Sequence, residues 1–404
     1  MDTYRHFVTI TSQLYFCASP IRLDSFNRCQ FGCVYCFSRK RGTDTSQGGL
    51  RNASPEAFAG RLERVSRGLV RSALDEFLVR RVPIQLGGLQ DPFSPLEEGC
   101  EVTLALLQTL RAWRYPTLIS TKGRVFLQDK YLSLLRDTPV LVRLSAAAVP
   151  EKLRPAVDVG CDGFDQTCNK IEHLVSCGVP VSLRIQPVIP GFEAVALRMA
   201  ERAISAGAQH VSFEYLKIGT EGREHQCRVL SEVLGMNVWG AMEARGVRRL
   251  GRDYTIVPTG KHHFLSEARA HCHSLGAKFG ASDTEFIHLS DGSGCCNGSS
   301  LFLNDANQFR ANYVGVLSDR KIGSRVFFAD VLAMWHPEKS VHSYLTTDSR
   351  GRDKSGKYNS WMSLIAHRWN GGRGPYSPLF FHGVSWTGEY DDHGFKVYRI
   401  DNGL

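Results

Sequence analysis

Three cysteines fall within eight positions near the start of the chain, in Asn27-Arg-Cys29-Gln-Phe-Gly-Cys33-Val-Tyr-Cys36-Phe. Thiolates separated by three and then two residues can close on one metal centre from a single loop. Three of them are one short of a closed tetrahedral zinc site. They are also one short of the four that fully hold an iron–sulfur cluster. A centre built on them keeps one position for an outside ligand, and open positions are where chemistry happens. The rival is a zinc knuckle completed by a remote Cys or His, but such sites usually join Cys-x2–4-Cys to a second pair.

A second group lies far downstream. His271-Cys272-His273 and His288 lead into Gly292-Ser-Gly-Cys295-Cys296-Asn-Gly298. Adjacent cysteines in a glycine-rich loop can wrap a cluster, because glycine lets the backbone curl around it. The expectation is an auxiliary [4Fe–4S] cluster on Cys272, Cys295 and Cys296. A zinc site drawing on His271, His273 or His288 is the rival metal centre. The third reading is a metal-free, thiol-bearing loop packed on the rest of the molecule.

Regular elements must position these groups. Residues 54–82 have a helical period, with Phe58, Leu62, Val65, Leu69, Leu74 and Phe77 as the buried stripe. The short run Val82–Leu86 follows and ends at Gly87-Gly88. Helical stretches at 97–113, 128–136, 166–177 and 194–206 then alternate with strand-like Thr117–Ser120, Val140–Leu144, Val181–Ile185 and His210–Glu214. This alternation predicts a parallel sheet with crossover helices, and five or six such units suit a partial or complete barrel. The rhythm stops after about residue 220. The predicted organisation is a core over 1–220, a linker and Cys/His-rich segment over 221–300, and a small α+β accessory domain over 301–404. In the last part Val314–Leu317, Arg325–Phe328 and Lys396–Ile400 read as short strands. Gly371-Gly-Arg-Gly-Pro375 reads as a turn or a loop at a substrate mouth.

The stretch Cys29-x3-Cys33-x2-Tyr35-Cys36 resembles the signature of radical S-adenosylmethionine enzymes. Gly87-Gly88-Leu-Gln-Asp91-Pro, Ile119-Ser-Thr-Lys122, Val142-Arg-Leu-Ser145 and Gln186-Pro-Val-Ile-Pro-Gly191 resemble segments of the spore photoproduct lyase-like subgroup. The resemblance implies an α/β fold, a partial (β/α)6 TIM-type barrel. It implies that Cys29, Cys33 and Cys36 hold a [4Fe–4S] cluster whose fourth iron is chelated by S-adenosyl-L-methionine. A 5′-deoxyadenosyl radical would then take hydrogen from a substrate. An external electron donor is implied as a partner.

The resemblance also implies roles at the cofactor. Tyr35 matches the aromatic whose backbone meets the adenine, and Gly87 and Gly88 match the glycines at the amino group. Lys122 matches a lysine at the carboxylate and Ser145 a hydroxyl at the ribose. Arg184 is expected either at the cofactor or in a structural ion pair. Lyases of the subgroup repair a thymine dimer in DNA. Their hydrogen-relay cysteine has no clear counterpart here; Cys100, Cys161 and Cys168 are the nearest candidates.

Composition narrows the classes. The 404 residues are 43% hydrophobic and 22% charged, an ordinary globular balance that excludes wholesale disorder and collagen-like repeats. Forty-nine basic against 40 acidic residues give +9, which permits DNA or RNA as a partner without demanding one. The resemblance, with weak support from this charge, implies a nucleic acid or a nucleotide-like substrate, with a small molecule or peptide as the alternative and a cluster-bearing nucleic-acid sensor as a further one. No run of about 18 apolar residues occurs, so no membrane is expected as a partner. The start MDTYRHFVTI lacks a secretory pattern, so the 12 cysteines are expected in a reducing cytoplasm, serving metal or catalysis.

Overall fold

The computed structural model describes residues 3–4, 6–36, 49–345, 352–371 and 376–404. The strands run in chain order as β1 (Val8–Ile10), β2 (Ile21–Leu23), β3 (Ile84–Leu86), β4 (Thr117–Thr121), β5 (Val140–Ala148), β6 (Val181–Val188) and β7 (His210–Tyr215). Then come β8 (Ile218–Gly219), β9 (Val247–Leu250), β10 (Asp253–Ile256), β11 (Lys278–Ala281), β12 (Arg325–Val326), β13 (Val384–Tyr390) and β14 (Lys396–Ile400). One eight-stranded sheet has the order β1-β2-β3-β4-β5-β6-β7-β11. Only its β1–β2 pair is antiparallel; every pair from β2 to β11 is parallel. Each parallel step needs a crossover, and helices such as Asp129–Asp137, Phe164–Ser176 and Glu193–Ser205 supply it.

The strands alternate in a consistent sense. Ile119, Val142, Leu144, Leu183, Ile185, Val211 and Phe213 join the main core beneath the helices. Their neighbours on the other face are mostly polar: Gln85, Ser120, Arg143, Ser145, Ser182, Arg184, His210, Ser212 and Glu214. Successive residues of a strand point to opposite faces, so the sheet curls with an apolar outside and a polar lumen. At the strands' N-terminal ends Leu303 packs on Leu118 and Leu141 and closes the lumen from below. Two further sheets, β8-β10-β9 and β12-β14-β13, flank the barrel.

Several local expectations change. The long helix expected over 54–82 is two helices, Pro55–Ser66 and Ala73–Val79. Gly68 breaks it with φ +77, and Ser72 caps the second helix by accepting from Asp75 N. Leu69 lies in the break and is 54% exposed rather than part of the buried stripe. Tyr313–Leu317 is helical, not a strand, because Asn312 caps it by accepting from Gly315 N. β11 comes from the Cys/His-rich stretch yet enters the barrel sheet beside β7. Residues 372–375 of the expected mouth loop lie outside the described residues.

The C-terminal residues are built into the same core as the N-terminus. Trp361 is fully buried, its ring tilted against Tyr15 with centroids 4.9 Å apart, and donates its Nε1–H to Ala311 O at 2.7 Å. Large-to-small changes at such positions cost about 3–5 kcal/mol. Trp361→Ala is therefore expected to lower stability by that amount in chemical denaturation, with one cooperative transition for the whole chain. A separate early transition for the C-terminal part would contradict this packing.

Candidate functional site

The sequence-expected groups converge at the C-terminal ends of the barrel strands, the face where barrels of this kind carry their chemistry. The loop after β2 carries Cys29, Cys33 and Cys36. It is strapped to a distant stretch by Gly32 N donating to Val159 O at 2.9 Å and Val34 N to Val157 O at 3.1 Å. Cys33 is buried, while Cys29 and Cys36 are half-buried. Burial pushes the Cys29 thiol up to about 12. Cys33 moves the other way: the Cys161 thiol beside it, and then Lys122, hold it below the usual thiol range despite burial.

Asp158 organises this end of the barrel. The Tyr35 hydroxyl donates to Asp158 Oδ1, and Lys122 Nζ pairs with the same oxygen at 3.1 Å. On Oδ2 it accepts from Ala147 N at 3.1 Å and from Arg154 Nη1 at 3.3 Å. Burial alone would raise this carboxyl. Lys122, the Tyr35 hydroxyl, the Ala147 amide and Arg154 outweigh it and hold the group ionised, below the usual range. Lys122 also donates to Ser145 O at 3.1 Å.

Asp91 does similar work one loop earlier. Its carboxylate accepts from Thr121 Oγ1 and Lys122 N, each at 2.6 Å, and from Phe93 N at 3.0 Å. That ties the glycine loop to the lysine loop. Gly87 has φ +87, and a Cβ there would stand 2.5 Å from Ser120 O. The chain thus needs glycine at 87 for its own packing on β4. The amides of Gly88, Leu89 and Gln90 are taken up by the buried Asp24 carboxylate.

Of the expected cofactor residues, the structure brings Tyr35 and Lys122 onto Asp158, with the Ser145 carbonyl accepting from Lys122 and Gly87 and Gly88 on the neighbouring loop. Arg184 is ion-paired with Glu214 on the lumen face, and Lys217 holds the other carboxylate oxygen. Burial would raise Glu214, but Lys217 and then Arg184 hold it at about 2. Cys161 Sγ lies 3.9 Å from Cys33 Sγ. Among the described residues, Cys33, Asp158 and Cys161 form the one group of ligand-bearing side chains whose ligand atoms lie within 4.8 Å of one another.

The downstream cysteines are arranged differently from the expectation. Cys272 is buried in helix Pro258–Ser274, which packs on the outer face of the sheet. Cys295 and Cys296 lie on the inner face, where a Cβ on Gly280 would stand 2.7 Å from Cys296 O. The sheet separates them from Cys272; the thiol that senses both is Cys17. Cys295 bonds to Asn297 Oδ1 at 2.9 Å and lies 3.1 Å from Ser299 Oγ.

The histidines do not gather either. His273 pairs with Asp291 at 2.7 Å on the surface, and buried His288 lies against the Phe381 ring at 5.6 Å. Asp158 and Asp91 were not singled out as site residues from the sequence, although Asp91 lies in the Gly87-Gly88 segment; Cys161 was named there only as a nearest candidate for a relay cysteine.

This sheet is a partial α/β barrel, a fold it shares with solved structures of spore photoproduct lyase. Its solved neighbours include several structures of that lyase. The complex with dinucleoside spore photoproduct gives a TM-score of 0.53 at 13% identity, covering 69% of this chain and 80% of that one. A point mutant gives 0.53 at 13% identity over the same shares, 69% and 80%. A double mutant with bound AdoMet and the dinucleoside gives 0.52 at 12% identity, again over 69% and 80%. No protein-family profile and no curated protein sequence matches the chain. No described helix is long and apolar enough to cross a membrane.

Two outcomes follow from the charges. Asp158→Asn leaves Lys122 buried without its carboxylate and Arg154 with the Glu151 carboxylate alone, and is expected to cost about 3–5 kcal/mol in denaturant unfolding. Wild-type stability here would contradict the role given to Asp158. Glu214 sits at about 2 in the folded protein against an ordinary 4.5, so its contribution is complete above that ordinary value and disappears as pH falls towards 2. The melting temperature should therefore drop chiefly below about pH 4.5, and less steeply in Glu214→Gln.

Proposed function

We propose that the chain is a radical S-adenosylmethionine enzyme acting on a nucleic acid or a nucleotide-like substrate. One observation carries the reading: the three-cysteine loop, through Tyr35, meets Lys122 on one buried carboxylate at the strand ends, and Lys122 in turn reaches the Ser145 carbonyl. The residues fit the implied group. Cys29, Cys33 and Cys36 offer three sulfurs from one turn, a donor set that leaves one iron for an outside ligand. When bound, the cluster and cofactor would supply a 5′-deoxyadenosyl radical.

The chain's own residues do the rest. Lys122 presents an ammonium suited to the carboxylate of S-adenosylmethionine, and Asp158 holds it in position beside the Tyr35 ring, 5.7 Å from its centroid. Cys161, next to Cys33, adds a fourth thiol at the cluster loop. The closed floor at Leu303 keeps bulk water from entering below. The nucleotide part of the reading is supported by the dinucleoside held by the neighbouring lyase. An auxiliary cluster on Cys272, Cys295 and Cys296 forms no part of it, since the sheet lies between them.

The test is anaerobic. The protein is reconstituted with iron and sulfide, given dithionite and S-adenosylmethionine, and 5′-deoxyadenosine is quantified with and without DNA or RNA. Formation stimulated by nucleic acid is expected. Cys33→Ala should lose the cluster absorbance and the product together. No 5′-deoxyadenosine from a protein holding a reducible cluster would overturn the enzyme reading. Formation that nucleic acid leaves unchanged would redirect the search to small molecules and peptides.

A further inference from the structure

Beneath the site just described, the barrel lumen holds more positive charge than it can match. Along the sheet register Ser120, Arg143, Ser182 and His210 form one inward-facing layer. Ser145, Arg184, Ser212 and Gly280 form the next, nearer the cysteine loop. Arg143 is 5% exposed. Its one described hydrogen bond runs from Nη2 to Ser120 Oγ at 2.8 Å, and its buried Nε has no partner.

No carboxylate among the described residues pairs with Arg143. The Cys296 and Cys295 thiols act on it first, and Glu214 acts from farther away, already engaged by Arg184 and Lys217. Lys217 also faces Asp283 and Glu285, so the two arginines are left to share Glu214. The buried Nε of Arg184 and Oγ of Ser212 also lack partners. His210 adds no charge of either sign, since burial keeps its ring neutral, with a pKa near 3. A guanidinium out of water and without a counter-charge is costly. The arrangement is stable with an oxyanion between the two arginines, which their forked donors suit.

We infer that the lumen below the cofactor site binds the terminal oxyanion of a small molecule, a carboxylate or a phosphomonoester, through Arg143 and Arg184. The floor argues for a terminal group. Leu303 on Leu118 and Leu141 seals the lumen below, and the Cys295–Gly298 turn fills the space beside His210 and Gly280. One end of a molecule can reach Arg143, whereas a phosphodiester flanked by nucleotides on both sides would have to pass through the floor. As an anchor for the reacting substrate, the site rests on the function proposed above. As an anion site it does not.

The test measures binding without iron or S-adenosylmethionine, so its failure is separate from failure of the radical reading. Calorimetry of the purified chain in low-chloride buffer uses inorganic phosphate and acetate as probes. Saturable binding of at least one is expected. Whichever binds tighter distinguishes a phosphomonoester from a carboxylate. Arg143→Met should weaken it at least about tenfold, Arg143→Lys should fall between, and Arg124→Met, at an exposed arginine, should change nothing. Arg143→Met should also raise the melting temperature of the anion-free protein, because it removes an unmatched buried charge. A lower melting temperature would mark Arg143 as structural and overturn the inference. So would unchanged affinity in Arg143→Met, or no saturable binding by the parent chain.

Discussion

The upper end of the barrel depends on one buried carboxylate. Asp158 meets a phenol, an ammonium, a backbone amide and the guanidinium of nearby Arg154, and the first three of those partners come from three separate places in the chain. Tyr35 belongs to the cysteine loop, Lys122 to the end of β4, and Ala147 to the end of β5. A carboxylate this enclosed stays ionised only while its partners hold it, and the partners keep their positions only while it is ionised. The cysteine loop, which has no helix or strand over its described residues 24–36, is fixed by this centre and by its backbone pairing to residues 157–159.

The rest of the barrel serves that arrangement by sorting its two faces. Apolar side chains face the helices, while polar side chains face the lumen. A lumen of this kind is poor for stability by itself. Charges such as Arg143, Arg184 and Glu214 are placed there at the expense of hydration, and arrangements of that sort belong to sites that bind and react. The Cys295–Leu303 segment packs across the lower end, with Leu303 on Leu118 and Leu141 and Gly298 against His210.

The C-terminal residues are not an appendage in energetic terms. Trp361 and Tyr376 pack on Tyr15, and Phe309 N donates to Ala18 O at 2.8 Å, beside the start of β2. β11 likewise ties the Cys/His-rich stretch into the barrel sheet. Burial of large aromatic surface across such a seam makes the chain's parts interdependent.

Much of this was legible in the sequence. The βα rhythm marked β4 to β7 within a few residues, because alternating apolar positions and crossover helices leave a periodic trace. The cysteine spacing marked the loop, and short segments near 87, 122 and 145 marked the strand ends that surround it. What the sequence could not show is which side of a sheet a residue takes when its neighbours arrive from far along the chain. Cys272 and Cys295 are close in sequence and have the sheet between them, whereas Cys17 and Cys296 are about two thirds of the chain apart and their thiols act on each other. Asp158 looked like one acid in a loose loop until folding enclosed it. Local periodicity determines elements; burial, charge pairing and the side of the sheet are decided only when distant segments pack.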